Sequence, residues 1–586
     1  MIRILMLLCA AAAFSGTASA QLTVDQKVSD FTQLAATYAK NYAPYEWKVQ
    51  SQNFDLLKVK TWLDRVKASK DDLEFMDICA DYVAALNDAH DYISFTSDYQ
   101  AYLGIDVDLF DGVYLLDYVD RSKLRATAYP FQVGDELVSI DGVATADWVK
   151  ANSKYNTGAN PRSTARLTAS YIGFRPQSVI PGAVNLPTRS TLVIKRQSGA
   201  VETYTIPWTT SGTPLFAVGP VPGLNFNANR KAPPNPVKVR PADDVTDLTA
   251  DTGVDLPTIL DHGLTNARLP GSKLRAEVKA YLGVNEVPPV FTFPTGFTQR
   301  LGRGGFDYFA SGTITISGTR IGYIRIPDFE PFSTSSATNS FISEITYMQA
   351  NTDGLVIDVM RNFGGSACYA ETLLTYVIPT KFRTVGYEIR ATAYWVDAYS
   401  QELEYYKSVG AEPWIINTYQ ALLTGIKEAY SENRGRTGPI PICAVSLDRS
   451  PAVDRTGKIA AYSKPVMLVT DELSVSAAEM FAAVFQDNQR GIVYGMRTMG
   501  AGGTVTSNPV GATTFSEAFV TVTQSLMNRK NPIVTADNPT APYVENIGVR
   551  PDIQADYMTK ENLLNNGKTF ATDMFNAAAN YIKNGR

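Results

Sequence analysis

Histidine is almost missing from this chain: His90 and His262 are the only two in 586 residues. A histidine-rich metal site is therefore excluded, and the four cysteines (Cys9, Cys79, Cys368, Cys443) lack zinc-ligand spacing. No metal and no cofactor is expected. Charge is thin as well. Charged residues make up 19% of the chain, the formal net charge is −5 and the pI is near 5.4. No basic cluster occurs, which argues against nucleic acid or an anionic membrane as a partner. Past the N-terminal stretch, no apolar run is long enough to span a bilayer.

Apolar residues are plentiful, with 45% hydrophobic and 11% aromatic content, enough to fill the cores of two or three domains. The N-terminus has a positive start at Arg3, a short apolar stretch over 4–14 and an Ala18-Ser19-Ala20 end. This reads as a secretory signal peptide over residues 1–20, cleaved before Gln21. The mature chain is then exported, to the periplasm or beyond the cell. It keeps Cys79, Cys368 and Cys443, which permit at most one disulfide, and none is expected to be essential.

The most informative stretch is 464–480. An apolar strand (Val466-Met467-Leu468-Val469) ends in the polar turn Asp471-Glu472-Leu473-Ser474-Val475-Ser476, and a run of good helix formers starts at Ala477. A hydroxyl on such a turn stands clear of the sheet, with the amides of the new helix facing it. That placement suits a serine nucleophile. Ser476 would serve equally as a simple helix cap. Local evidence leaves both readings open.

Three further blocks bear on the choice. A strand over 354–359 runs into Arg361-Asn362-Phe363-Gly364-Gly365, Met499-Gly500-Ala501-Gly502-Gly503 follows the serine helix, and Val544-Glu545-Asn546-Ile547-Gly548-Val549 closes the set. In this order the four blocks resemble the serine peptidase family of tail-specific (C-terminal-processing) proteases and the tricorn core protease. The resemblance covers residues 305–560 well and the N-terminal half loosely.

The tail-specific branch pairs its serine with a lysine placed 25 residues later; here that position is Ala501. No lysine falls between Lys464 and Lys530, so a shifted dyad is unattractive. Either the fold is kept without catalysis or another group is the base. His90, in Leu86-Asn87-Asp88-Ala89-His90, matches the Leu-x-Asp-x-His block by which the tricorn branch and the chlamydial protease-like activity factor supply a histidine base. Those relatives complete the triad with a glutamate in a Glu-Asn-x-Gly-Val block, and Glu545 holds that place. The resemblance, closest to the chlamydial branch, thus implies a catalytic triad of Ser476, His90 and Glu545. It also implies an oxyanion hole of backbone amides from Gly364, Gly365 and Ala477. Asp88 and Asp91 flank His90 and are rivals to Glu545 as its orienting carboxylate. Glu479 reads as support for the helix or loop, and His262 as a solvated loop residue.

Apolar residues at helical spacing predict helices over 28–42, 53–69 and 73–86 in an N-terminal helical region, 21–105. Phe131-Gln132-Val133-Gly134-Asp135-Glu136-Leu137-Val138-Ser139-Ile140-Asp141-Gly142 resembles the strand–turn signature of a PDZ domain, here bounded at 106–211, with a hairpin around Ser198-Gly199. Leu103-Gly104-Ile105 is the one candidate for a PDZ carboxylate loop. Residues 212–300 are proline-punctuated and aperiodic, a linker or, by resemblance to the chlamydial relative, an inhibitory segment removed by cleavage. From 301 to 586, strands at 313–316, 320–326, 354–359 and 465–470 alternate with helices at 336–349, 369–377 and 477–489. Such alternation implies a layered α/β core, and the family version is a crotonase-like ββα spiral.

The reading these features support is a serine endopeptidase acting on protein or peptide substrates through an acyl-enzyme. Holding His90 against a serine from a distant segment needs domain docking, which makes activation by rearrangement or by forming a homodimer an expectation. The competing reading is a peptide- or ligand-binding protein on the same fold, as in related retinoid-binding modules, and Ala501 is the residue that favours it.

Overall fold

A computed structural model describes residues 21–219, 282–304, 307–508, 513–533 and 541–585. The expected signal peptide at 1–20, His262 and a helix expected over 273–281 lie outside these residues. Among the described residues, no helix is long and apolar enough to cross a membrane.

The C-terminal half is built on a seven-stranded sheet. Its spatial order is Thr298–Leu301, Ala310–Ile316, Thr319–Arg325, Gly354–Asp358, Val466–Thr470, Gly491–Gly495 and Ile553–Gln554. The first three strands are antiparallel, and from Thr319–Arg325 onward every pairing is parallel. Parallel strands need crossovers and are buried on both faces, which is why Gly354–Asp358 and Val466–Thr470 read as unbroken apolar runs. Helices Thr334–Asn351, Ala367–Val377 and Ala477–Asp487 pack one face around Phe341, Leu373 and Phe481. Helix Lys568–Asn584 covers the other with Phe570, Met574 and Phe575. A helical hairpin, Ala393–Ser408 and Pro413–Ser431, is inserted between the layers' connections.

Strands Ile105–Phe110, Val113–Val119, Glu136–Ile140, Arg189–Lys195 and Val201–Pro207 form the sheet of the region expected to be PDZ-like, with helices Thr145–Asn152 and Pro161–Ala169 beside it. The expected carboxylate loop is not open: the Leu103 amide donates to the Gly173 carbonyl at 2.8 Å, and Leu103 and Ile105 are buried.

The N-terminal region holds helices Val24–Asn41, Tyr45–Gln52, Lys60–Ala68 and Asp72–Ala84. One long helix was expected over 53–69. Instead Asn53 closes the preceding helix in a left-handed conformation, φ 51°, and the next helix starts at Lys60. This region is tied into the C-terminal half by sheet pairing, since Ile93–Phe95 runs antiparallel to Ala518–Thr523. Cys368 and Cys443 are joined in a disulfide across a separation of 75 residues, and Cys79 is free and buried.

Candidate active site

Ser476 stands where the strand Val466–Thr470 has turned into the helix Ala477–Asp487. Its backbone is strained, at φ 58° and ψ −116°, a region that non-glycine residues rarely occupy. Such a conformation costs on the order of 1–3 kcal/mol and persists only where surrounding contacts impose it. Those contacts are visible. Asp471 accepts from the amides of Arg361 (2.9 Å) and Leu473 (3.1 Å), and the Val475 amide donates to the Asn362 carbonyl at 2.9 Å. The serine turn and the glycine turn are therefore zipped into one unit.

Glu479 completes the frame from below. Its buried carboxylate accepts from the Ser476 amide (3.2 Å), Thr498 Oγ1 (2.6 Å) and the Gly500 and Ala501 amides (2.7 Å each). It supports the loop, as expected. Ala501 is fully buried among Leu167, Leu473, Val475 and Met499, so the position of the absent lysine is filled by apolar packing.

The glycine turn lies against the serine. Gly364 (φ 94°) and Gly365 (φ 128°) both need glycine's freedom. The three amides proposed for the oxyanion hole are not equivalent. The Gly364 amide donates to Asn362 Oδ1 at 2.8 Å, within its own turn, which removes it from that role. Among the described residues, the Gly365 and Ala477 amides donate to no acceptor. A pair of unspent N–H groups beside a strained serine can hold a developing oxyanion.

His90 reaches this region through its loop. Its neighbour Ala89 packs on the apolar cluster that contains Val475 and Ala501. The His90 amide donates to Asp88 Oδ1 at 2.9 Å, and Thr521 Oγ1 donates to the His90 carbonyl at 2.6 Å. Its side chain is half-buried, and Nδ1 has no hydrogen-bond partner among the described residues. Burial lowers its pKa; Asp88 opposes this and Lys48 adds to it.

Glu545 does not sit on His90. Its Oε1 accepts from Lys48 Nζ at 2.5 Å, and its Oε2 accepts from the Gly502 amide at 3.0 Å. Burial and the Asp88 carboxylate push its pKa up, while Lys48 pulls it down. The rival carboxylates are also engaged elsewhere. Asp88 Oδ2 accepts from the Tyr42 hydroxyl at 2.9 Å and Asp91 Oδ1 from the Thr523 amide at 2.9 Å. Among the described residues, no hydrogen bond joins Ser476, His90 and Glu545 to one another.

Lys48 is the residue that the sequence reading missed. It is buried in the helix Tyr45–Gln52, at a sequence separation of 497 from Glu545. It lies far outside the interval between Lys464 and Lys530 that holds Ser476. A lysine within a short, mostly polar helix gives no local sign of a distant carboxylate.

Comparison with known proteins bears on the fold. Residues 320–555 match the model of peptidase family S41, and residues 99–214 match a PDZ domain. A protein of Chlamydia trachomatis serovar D is 24% identical over 626 residues, covering 95% of this chain and 93% of that protein. One from Chlamydia muridarum is 24% identical over 606 residues, covering 96% and 93%. Among solved structures, mature CPAF is similar with a TM-score of 0.71 at 20% identity, over 96% of this chain and 98% of that one.

Proposed function

We propose, for a chain that carries a peptidase family S41 domain and is a serine-type peptidase, that it is an exported endopeptidase working through an acyl-enzyme on Ser476. The observation that carries this is the strained Ser476 beside the unspent amides of Gly365 and Ala477. In the proposed reaction, Ser476 Oγ attacks the scissile carbonyl while His90 takes its proton, then returns it to the leaving amine. The two amides bind the tetrahedral oxyanion, and one such donor is worth about 3–4 kcal/mol. A neutral imidazole is the form needed to accept the proton, and burial favours that form.

Glu545 is assigned the orienting role through Lys48 and the shared neighbour Asp88 rather than by direct contact. Export rests on the 1–20 leader pattern and is supported by the Cys368–Cys443 disulfide, a bond that persists in oxidising compartments. The substrate is a protein or peptide. The test is hydrolysis of a fluorescently tagged, unfolded casein by residues 21–586 beside Ser476→Ala. Cleavage lost in the variant supports the reading. Equal cleavage by both rejects Ser476, and no cleavage by either favours a ligand-binding protein on this fold.

A further inference from the structure

Lys48 is 1% exposed, and an ammonium is seldom buried without a full set of partners. Its three N–H donors meet three acceptors: Glu545 Oε1 at 2.5 Å, Asn546 Oδ1 at 2.6 Å and the Asn87 carbonyl at 3.0 Å. Those acceptors belong to two loops that are distant in sequence. Asn87, itself at φ 48°, opens the turn that leads through Asp88 and Ala89 to His90. Glu545 and Asn546 belong to the loop after the strand Ala541–Tyr543. Asn546 Nδ2 doubles the link by donating to the same Asn87 carbonyl at 2.8 Å, and to Ala159 at 3.1 Å. Trp47, next to Lys48, donates from Nε1 to the Glu545 carbonyl at 3.1 Å. The helix carrying Lys48 therefore grips both loops at once.

We infer that Lys48 is a positioning residue for the reaction: its ammonium fixes the loop that carries His90 against the loop that carries Glu545. This rests on the reading of His90 as base. A single charged tether with three acceptors fixes both the distance and the orientation of the two loops, whereas an apolar side chain of equal size would fix neither. The ammonium also acts on the groups around it. His90, Glu545, Asp88 and Asp91 all face this junction, with Tyr42 bonded to Asp88. A positive charge here opposes the burial that pushes Glu545 up to about 8, and it favours the neutral form of His90.

The test is the rate of fluorophosphonate labelling of Ser476 against pH, with Tm alongside, for residues 21–586 and for His90→Ala, Lys48→Met, Glu545→Gln and the Lys48→Met/Glu545→Gln pair. The inference expects Lys48→Met to label at least about tenfold more slowly, with its acid limb moved to higher pH. It expects the double variant to be no slower than Glu545→Gln alone, because the two residues act as one unit. Should Lys48→Met fail to fold, the double variant, which leaves no charge unpaired, takes its place. A wild-type rate and acid limb in the folded variant, with labelling still dependent on His90, would overturn the inference alone. Labelling that survives His90→Ala would bring down the histidine reading and this inference with it.

Discussion

Gly364 lies so close to Ser476 that a Cβ built on the glycine would come within 2.7 Å of the serine Cβ and 2.9 Å of the Ala477 amide nitrogen. The glycine turn is therefore the wall that holds the serine in its strained conformation, and no side chain fits between them. Gly364→Ala combines this overlap with a φ of 94°. It is expected to lower stability by about 1–3 kcal/mol and to abolish labelling of the serine in the molecules that still fold. Denaturant unfolding beside labelling stoichiometry separates the two effects.

Removing the Glu479 carboxylate should be more damaging than its place one helical turn past Ser476 suggests. Glu479→Ala strands three buried donors, on Thr498, Gly500 and Ala501, and the half-buried amide of Ser476. A loss of roughly 3 kcal/mol or more is expected, since each stranded group costs about 1–3 kcal/mol before relaxation. Thermal unfolding checks it; a change of under about 1 kcal/mol would show that the loop is held by other contacts.

Placing a lysine at position 501, where the tail-specific branch has its dyad lysine, should not create a base. Ala501 is fully buried in an apolar cluster, and its amide is already committed to Glu479. Ala501→Lys would place an ammonium in that cluster at a cost of several kcal/mol. Peptidase activity of Ala501→Lys/His90→Ala is expected to stay at the level of His90→Ala, as read by casein hydrolysis.

The pH dependence follows from the sign of one shift. Burial holds His90 below the ordinary histidine value of 6.5, so the folded chain keeps it neutral where the unfolded chain binds a proton. The acid limb of kcat/KM should therefore lie below 6.5. The same depression supplies stability that is present above the unfolded value and is lost as pH falls through the folded one. His90→Gln should flatten that part of the stability curve, measured by urea unfolding between pH 7 and about pH 4.

Much of the fold was legible because its signals are local. The apolar strands at 354–359 and 466–470, the hairpin around Ser198-Gly199 and the helices of the catalytic half fall where periodicity puts them, within a residue or two at most ends. What escaped depends on distance. The pairing of Ile93–Phe95 with Ala518–Thr523 crosses more than four hundred residues and decides where His90 sits. The bond from Lys48 to Glu545 crosses nearly five hundred, and it turns a carboxylate expected on the histidine into one held by an amine. The Gly364 amide was expected to face the oxyanion. Its donation to Asn362 depends on turn geometry that glycine permits but does not encode.

The most direct measurement is intact-protein mass during turnover of an activated ester by residues 21–586. The account predicts a covalent acyl adduct that maps to Ser476. It should be absent in Ser476→Ala and form at least about a hundredfold more slowly in His90→Ala, the usual contribution of a general base. An adduct formed equally fast without His90, or mapped to another residue, would contradict the account.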